Sequence, residues 1–311
     1  MRSSNLIESI GETPLVELPA FSPKPSVRLF AKLEGNNPTG SVKDRIARAM
    51  IQAALDDGAL DASRTILEPT SGNTGISLAM ITSRLGYRFT AVMPDNVSPE
   101  RSDLLRAYGA QIIYSPGEEG SNGSIAMAKE IVAKDSSYLM LFQYGNAANP
   151  GAHYATTGPE IIRDLPDITH FVAGLGTGGT LMGTGRKLKE YNPQIAIIAA
   201  APEPDDRIQG LRSLEEGFVP PILDLQKLDA RIMVSGAESF RLTAELLRRE
   251  GVFAGVSSGA VLAAALRLAG RVDNANIVCL FADGGSKYLS TGLWTKDYEE
   301  LKGSVEGKIW W

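Results

Sequence analysis

Phe171-Val172-Ala173-Gly174-Leu175-Gly176-Thr177-Gly178-Gly179-Thr180 is a short apolar run that breaks into a glycine-rich turn, and a helical pattern over residues 181–190 follows it directly. The glycines let the backbone bend tightly and point several N–H groups inward. The helix behind them adds the positive end of its dipole, so the turn suits an anion such as phosphate. The same letters also satisfy the dinucleotide fingerprint Gly-x-Gly-x-x-Gly, with Glu203 after the next strand placed to act as a ribose-binding acid, and they are compatible with a purely structural turn. The motif alone does not choose among these. What it does decide is the local architecture: strand, tight turn, helix.

That unit recurs on both sides. Thr65-Ile66-Leu67 enters a loop at residues 69–75, after which Ile76, Ala79, Met80 and Ser83 keep helical spacing. Ala91-Val92-Met93 ends in Pro94-Asp95-Asn96, and a helix over about residues 99–108 follows, with Pro99 suited to its first turn. Residues 111–114, 139–142, 196–200 and 277–281 are further candidate buried strands. Continuous apolar strands alternating with helices predict an α/β fold with parallel sheets covered on both faces. Residues 145–155, with glycines, asparagines and a proline, read as a linker. Residues 202–225 are irregular and longer than an ordinary loop, which suggests a lid or substrate loop carrying Arg212.

Composition narrows the function. The chain has 311 residues, 43% of them apolar and 22% charged, with a net charge of −5. A chain this apolar folds rather than remaining disordered. A mildly acidic surface with no Lys/Arg block gives no electrostatic support to nucleic-acid binding. The most apolar stretches, residues 195–201 and 277–282, fall far short of the roughly 20 residues that span a bilayer, so no membrane role is expected. The first eleven residues lack the apolar core of a signal peptide, which points to the cytoplasm. Cys279, the single cysteine, lies in an apolar strand and reads as structural; with only His153 and His170 beside it, no metal site is expected. His170 opens a strand, and His153 is placed in a loop.

Four further constellations carry polar groups where chemistry would need them. Glu68-Pro69-Thr70-Ser71-Gly72-Asn73-Thr74-Gly75 crowds hydroxyl, amide and backbone donors around a helix start; a carboxylate would be held there, although one of those side chains would suffice as a helix cap. Asn37-Pro38-Thr39-Gly40-Ser41-Val42-Lys43-Asp44-Arg45 sets a lysine at the start of a helix. There the dipole opposes its charge, lowers its pKa and makes it a better amine nucleophile. Gly255-Val256-Ser257-Ser258-Gly259-Ala260 offers hydroxyls at a turn that would bond a ring nitrogen or cap the helix. Gln143 and Asp283-Gly284-Gly285 each follow a strand, where parallel sheets bind ligands.

In their order, N-P-T-G-S-V-K-D-R, E-P-T-S-G-N-T-G, H-Y-A-T-T-G-P-E-I, G-T-G-G-T and G-V-S-S-G-A resemble the cysteine synthase family of pyridoxal-phosphate enzymes, over about residues 10–289. Gly210-Leu211-Arg212 and the ending Glu306-Gly307-Lys308-Ile309-Trp310-Trp311 are most similar to its B type, which includes enzymes that prefer O-phosphoserine. The resemblance implies fold type II, similar to the tryptophan synthase β subunit. Two domains would each hold a twisted, mostly parallel sheet: a small one over 35–145, and a large one from 1–34 and 146–311.

Roles follow from the resemblance residue by residue. Lys43 would hold pyridoxal 5'-phosphate as a Schiff base and move the α-proton. Asn73 would touch the ring hydroxyl, while Gly176, Thr177, Gly178, Gly179 and Thr180 would cradle the phosphate. Ser257, with Ser258 adjacent, would meet the pyridine nitrogen, and Thr70, Ser71, Thr74 and Gln143 would grip the substrate carboxylate. A neutral hydroxyl on the ring nitrogen favours loss of a β-leaving group over transamination. The implied reaction is β-replacement: loss of phosphate or acetate from O-phospho-L-serine or O-acetyl-L-serine through an α-aminoacrylate, then addition of sulfide, thiosulfate or a thiocarboxylated carrier protein to give L-cysteine. Arg212 would favour the phosphate ester, since a guanidinium pairs bidentately with phosphate. A homodimer is expected, with the Trp310-Trp311 tail covering the cleft or packing against the partner. Where the family commonly reads Asp-Ser-Gly-Glu-Arg-Tyr, this chain reads Asp283-Gly284-Gly285-Ser286-Lys287-Tyr288, a departure in one wall of the site. The competing readings are a serine or threonine dehydratase or cystathionine synthase of the same fold, an NAD-binding oxidoreductase, and a non-catalytic relative.

Overall fold

The computed structural model describes residues 3–70, 72–97, 99–204, 206–296 and 300–301. In chain order the regular elements are β1 (Leu15–Glu17), β2 (Val27–Leu33), α1 (Lys43–Asp56), β3 (Thr65–Pro69), α2 (Asn73–Leu85), β4 (Arg88–Pro94), α3 (Pro99–Ala107), β5 (Gln111–Ser115), α4 (Gly120–Lys134) and β6 (Tyr138–Met140). They continue with α5 (Ala148–Ala155), α6 (Thr157–Asp164), β7 (His170–Gly174), α7 (Gly179–Tyr191), β8 (Ala196–Pro202), β9 (Ala230–Val234), α8 (Gly236–Glu250), α9 (Val256–Ala269) and β10 (Ala275–Phe281).

The strands form two sheets. One has six strands in the order β1-β2-β10-β7-β8-β9 and the other four in the order β5-β4-β3-β6. Every pairing is parallel except that of β1 with β2. Both faces of each sheet are covered, as the unbroken apolar strands predicted. On β7 and β8, Val172, Ile198 and Ala200 turn toward α8 and α9, while Phe171, Ala173, Ile197 and Ala199 turn toward α6 and α7. In the smaller sheet Ile66, Ala91 and Met93 pack under α1, α2 and α3, and Leu67 and Val92 meet α4 on the opposite face.

Two sequence expectations are corrected. Residues 145–155 are not irregular throughout: Ala148–Ala155 is α5, and His153 lies buried within it rather than in a loop. Pro150 is its third residue, where the missing N–H had no helical partner in any case. Packing of α5 against α1 and α7 outweighs the poor helix propensity of Asn149, Pro150 and Gly151. The strand expected at 139–142 is Tyr138–Met140, because Phe142 takes the left-handed conformation at φ 55° and ends the extended run.

Candidate active site between the two sheets

The carboxyl ends of β3 and β6 in one sheet and of β7 and β10 in the other open onto a single cleft. Lys43, Thr70, Asn73, Thr74, Gln143, Gly176, Thr177, Arg212 and Ser257 all line it. A smaller pocket that shares Lys43, Gly176, Thr177 and Ser257 with it is also lined by Gly178 and Thr180. Residues read from six separate stretches of sequence therefore converge. Ser71 and the Trp310-Trp311 tail lie outside the described residues.

At the end of β7 the chain turns sharply into α7. Gly178, at φ 86°, supplies the left-handed residue that the turn requires. A Cβ on Gly176 would lie 2.9 Å from the carbonyl oxygen of Gly210, so only glycine lets these two backbones approach. Thr177 Oγ1 accepts from Gly179 N at 3.3 Å and from Asn149 Nδ2 at 3.1 Å. Thr180 Oγ1 lies 3.2 Å from His153 Nε2, whose other ring nitrogen is 3.0 Å from Thr157 Oγ1. Burial, reinforced by the charges of Arg45 and Lys43, holds the His153 pKa well below its ordinary value, so the ring is neutral and orients the Thr180 hydroxyl. Sequence reasoning had no signal for this pairing, because the two side chains are 27 positions apart on different helices.

The loop after β3 is organised from beneath. Glu68, fully buried, accepts the N–H of Phe142 at 2.7 Å and of Gln143 at 2.8 Å. Burial raises its carboxyl to about 8 despite those two bonds. Gln143 is thereby set to accept from Thr74 Oγ1 at 2.7 Å and to donate to the Pro69 carbonyl at 3.2 Å. Thr70 Oγ1 accepts from Gly72 N and Gly75 N, which leaves its own hydrogen to donate. The Thr70 hydroxyl hydrogen and the N–H groups at the start of α2 are thus the donors this turn offers a carboxylate, while the Thr74 hydroxyl is spent on Gln143.

Lys43 is the first residue of α1. Desolvation in the cleft lowers its pKa, outweighing the opposing pull of Asp283 and Glu34, so a neutral amine is more accessible than on an ordinary lysine. The helix start that carries it is anchored two residues on. Arg45 donates to Glu34 Oε2 from Nε at 2.7 Å and to Glu160 Oε1 from Nη1 at 2.6 Å, all three side chains being buried. On α9, Ser257 faces the cleft, whereas Ser258 is fully buried, does not line it, and has an Oγ without a partner.

Asp283, two residues beyond β10, also lines the cleft. Its Oδ2 accepts from Asn73 Nδ2 at 2.7 Å and from Tyr288 Oη at 2.6 Å, and its buried Oδ1 has no partner. The wall in which the sequence departs from the family pattern therefore supports Asn73 directly.

Comparison with known proteins decides what this cleft belongs to. The family model for pyridoxal-phosphate dependent enzymes matches residues 6–283. A probable cysteine synthase of Bacillus subtilis is 42% identical over 304 residues, covering 94% of this chain and 98% of the relative. This chain belongs to the cysteine synthase family of pyridoxal-phosphate dependent enzymes. Cysteine synthase B of Escherichia coli is 41% identical over 296 residues, covering 95% of this chain and 97% of its own. The crystal structure of an O-acetyl serine sulfhydrylase isoform from Entamoeba histolytica superposes with a TM-score of 0.88 at 33% identity, over 98% of this chain and 96% of the other. The cofactor of the family is pyridoxal phosphate, and the cleft fits it. A glycine turn at a helix start meets the needs of its phosphate, a desolvated amine those of its aldehyde, and a hydroxyl on α9 those of its ring nitrogen.

Proposed function

We propose that the enzyme makes L-cysteine by β-replacement on an O-activated L-serine, with O-phospho-L-serine as the favoured ester over O-acetyl-L-serine. The observation that carries this reading is the shared cleft: Lys43, the Thr70-to-Thr74 turn, the Gly176-Thr177 turn and Ser257 border one volume. Bound pyridoxal phosphate supplies an electron sink that acidifies the substrate's α-carbon.

The residues divide the remaining work. Backbone N–H groups from Gly176 to Thr180 would hold the phosphate, Asn73 would meet the ring oxygen, and Ser257 would give the ring nitrogen a neutral partner. Thr70, Ser71, Thr74 and Gln143 bind the α-carboxylate and fix the plane in which the α-hydrogen points. Lys43 would be the base at that hydrogen, and desolvation, by lowering its pKa, favours the neutral amine that this role needs. Arg212 lies within reach of the leaving group from the 202–225 segment. It is buried, sits over the rings of Tyr144 and Phe218 at 5.4 and 4.9 Å, and makes no ion pair among the described residues. An unneutralised guanidinium suits a phosphate dianion better than a neutral acetyl ester.

We assign residues 35–145, which hold the four-stranded sheet and the carboxylate turn, as a small domain closing on 1–34 and 146–311. The sulfur donor is sulfide, thiosulfate or a thiocarboxylated carrier protein. On the likeness to its family we place the enzyme in the cytoplasm as a homodimer.

The test offers each ester to the purified holoenzyme with sulfide and follows both cofactor absorbance and products. Cysteine formation with kcat/KM higher for O-phosphoserine supports the reading. Release of pyruvate and ammonia at every turnover, with no cysteine formed, would instead make the protein a dehydratase.

A further inference from the structure

Lys287 stands behind Asn73, outside the lining of the cleft. It belongs to the helical turn Gly285–Thr291 that follows β10, and it is only 6% exposed. Its Nζ donates to Asn73 Oδ1 at 2.7 Å and lies 3.4 Å from the Gly40 carbonyl oxygen. Gly40 is three residues before Lys43, and Ser41 between them bridges to Asp283. One ammonium thus touches both the strap that carries the amine and the amide on the opposite wall.

Burying this charge is costly, yet among the described residues Lys287 makes no ion pair. Burial lowers the Lys287 pKa; of the charged groups facing it, Asp283 and Asp44 favour the ammonium, whereas Arg101 and the Lys43 amine oppose it. Its closest partner is a neutral amide oxygen. Stability alone gives no reason for that arrangement, since an apolar side chain of the same length would avoid the desolvation.

Orientation does give one. A lysine ammonium only donates and an ionised carboxylate only accepts. Lys287 can therefore satisfy only Oδ1 of Asn73, and Asp283 only its Nδ2, so both select the same amide orientation. Nδ2 carries two hydrogens; one lies on Asp283 and the other remains for the cleft that Asn73 lines.

We propose that Lys287 is a positioning residue that locks the Asn73 amide with its NH₂ donor toward the cofactor's ring oxygen, favouring the deprotonated form of that oxygen. The inference rests on the reading of Asn73 as the residue at the ring oxygen, and the experiment separates the two.

The measurement is the absorbance of the holoenzyme across pH, together with cofactor affinity by equilibrium dialysis, for Lys287→Met, Lys287→Arg, Asn73→Ala and the double variant Lys287→Met/Asn73→Ala. Lys287→Ala replaces Lys287→Met in both backgrounds should the latter fail to fold. In Lys287→Met the visible band should yield to the near-ultraviolet one, with its pH midpoint raised by about one unit and cofactor affinity roughly tenfold weaker, the scale of one charge-assisted hydrogen bond. Lys287→Arg should restore both. The Met substitution should add nothing in the Asn73→Ala background. An equal shift in both backgrounds would mean a through-space charge effect and overturn the proposal, as would an unchanged midpoint in Lys287→Met. If Asn73→Ala itself leaves band and affinity unaltered, the assignment of Asn73 fails first.

Discussion

Arg212 donates from Nη2 to Ser121 Oγ at 2.6 Å, and from Nη1 to Asn122 Oδ1 at 3.1 Å, tying the 202–225 segment to the first turn of α4. Both partners are neutral, so the contact orients the guanidinium without cancelling its charge. Arg212→Ala should lower kcat/KM for O-phosphoserine by about 100-fold, the worth of a desolvated charge-assisted pair, and for O-acetylserine by only a few-fold. Steady-state kinetics on both esters checks this. Equal losses would show that Arg212 closes the cleft rather than choosing the ester.

The network behind Lys43 sets an acid limit on stability. Burial would raise the Glu160 carboxyl, but its bonds to Arg45 and Lys32 outweigh burial and bring it down to about 2 from an ordinary 4.5. The unfolded chain then takes up the proton more readily than the folded one. Stabilisation from this group is complete above the ordinary carboxylate range and is lost as pH falls from there through about 2, on the order of 3 kcal/mol in all. Arg45→Met strands the Glu34 charge and leaves Glu160 with Lys32 alone, and should cost about 3–5 kcal/mol at neutral pH. Urea midpoints measured down the acid limb test both statements. A variant that keeps the parental acid slope sinks the assignment to this pair.

What the sequence disclosed depended on distance along the chain. The glycine turn at 174–180, the crowded turn at 70–75 and Lys43 at a helix start were readable because each is a local motif whose strand and helix adjoin it. Gln143 followed from a general rule about strand ends. The supports behind them were not readable. Asn73 meets Asp283 and Lys287 across 210 and 214 positions, and Arg45 meets Glu160 across 115; no spacing rule reaches that far. β2 escaped notice because Arg28 and Lys32 interrupt its apolar run, yet Lys32 is fully buried and bonded at 2.8 Å to Glu160. Charge disguised a core strand, and Asn/Gly/Pro composition disguised α5.

Thr74→Val isolates the carboxylate turn. The substitution keeps the shape of the side chain but removes the hydroxyl bonded to Gln143 Oε1 at 2.7 Å, leaving a buried acceptor unpaired. The unpaired acceptor should cost about 1–3 kcal/mol of folding stability. Because a carboxylate is bound equally in ground and transition states, a Gln143 no longer held beside the turn should raise KM for the amino acid roughly tenfold and change kcat little. A fall in kcat at constant KM would place Thr74 in the chemical step instead.

Gly176→Ala addresses the cradle. The added methyl meets the Gly210 carbonyl at 2.9 Å, and since that neighbour is backbone, one of the two loops must move. The cost to folding should be about 1–3 kcal/mol, typical of overpacking. The larger effect should fall on cofactor affinity, because the N–H groups of the turn lose their common focus. Dialysis against graded pyridoxal phosphate, beside a thermal melt of the apoenzyme, separates the two; an unchanged affinity would remove Gly176 from the phosphate site.

Lys43 supplies the last prediction, through the rate at which apoenzyme takes up cofactor as pH is raised. Imine formation needs the neutral amine, so the rate climbs with the neutral fraction and levels off above the pKa of the attacking group. Desolvation lowers the Lys43 pKa from its ordinary 10.5, while Asp283 and Glu34 only partly restore it. The rate should therefore reach its plateau at lower pH than for a solvent-exposed lysine. Lys43→Ala should abolish the covalent absorbance band and turnover together while retaining some non-covalent cofactor through the glycine turn. Uptake that keeps rising through 10.5 would show an amine with no environmental tuning. A Lys43→Ala protein with full turnover would assign the chemistry to another residue.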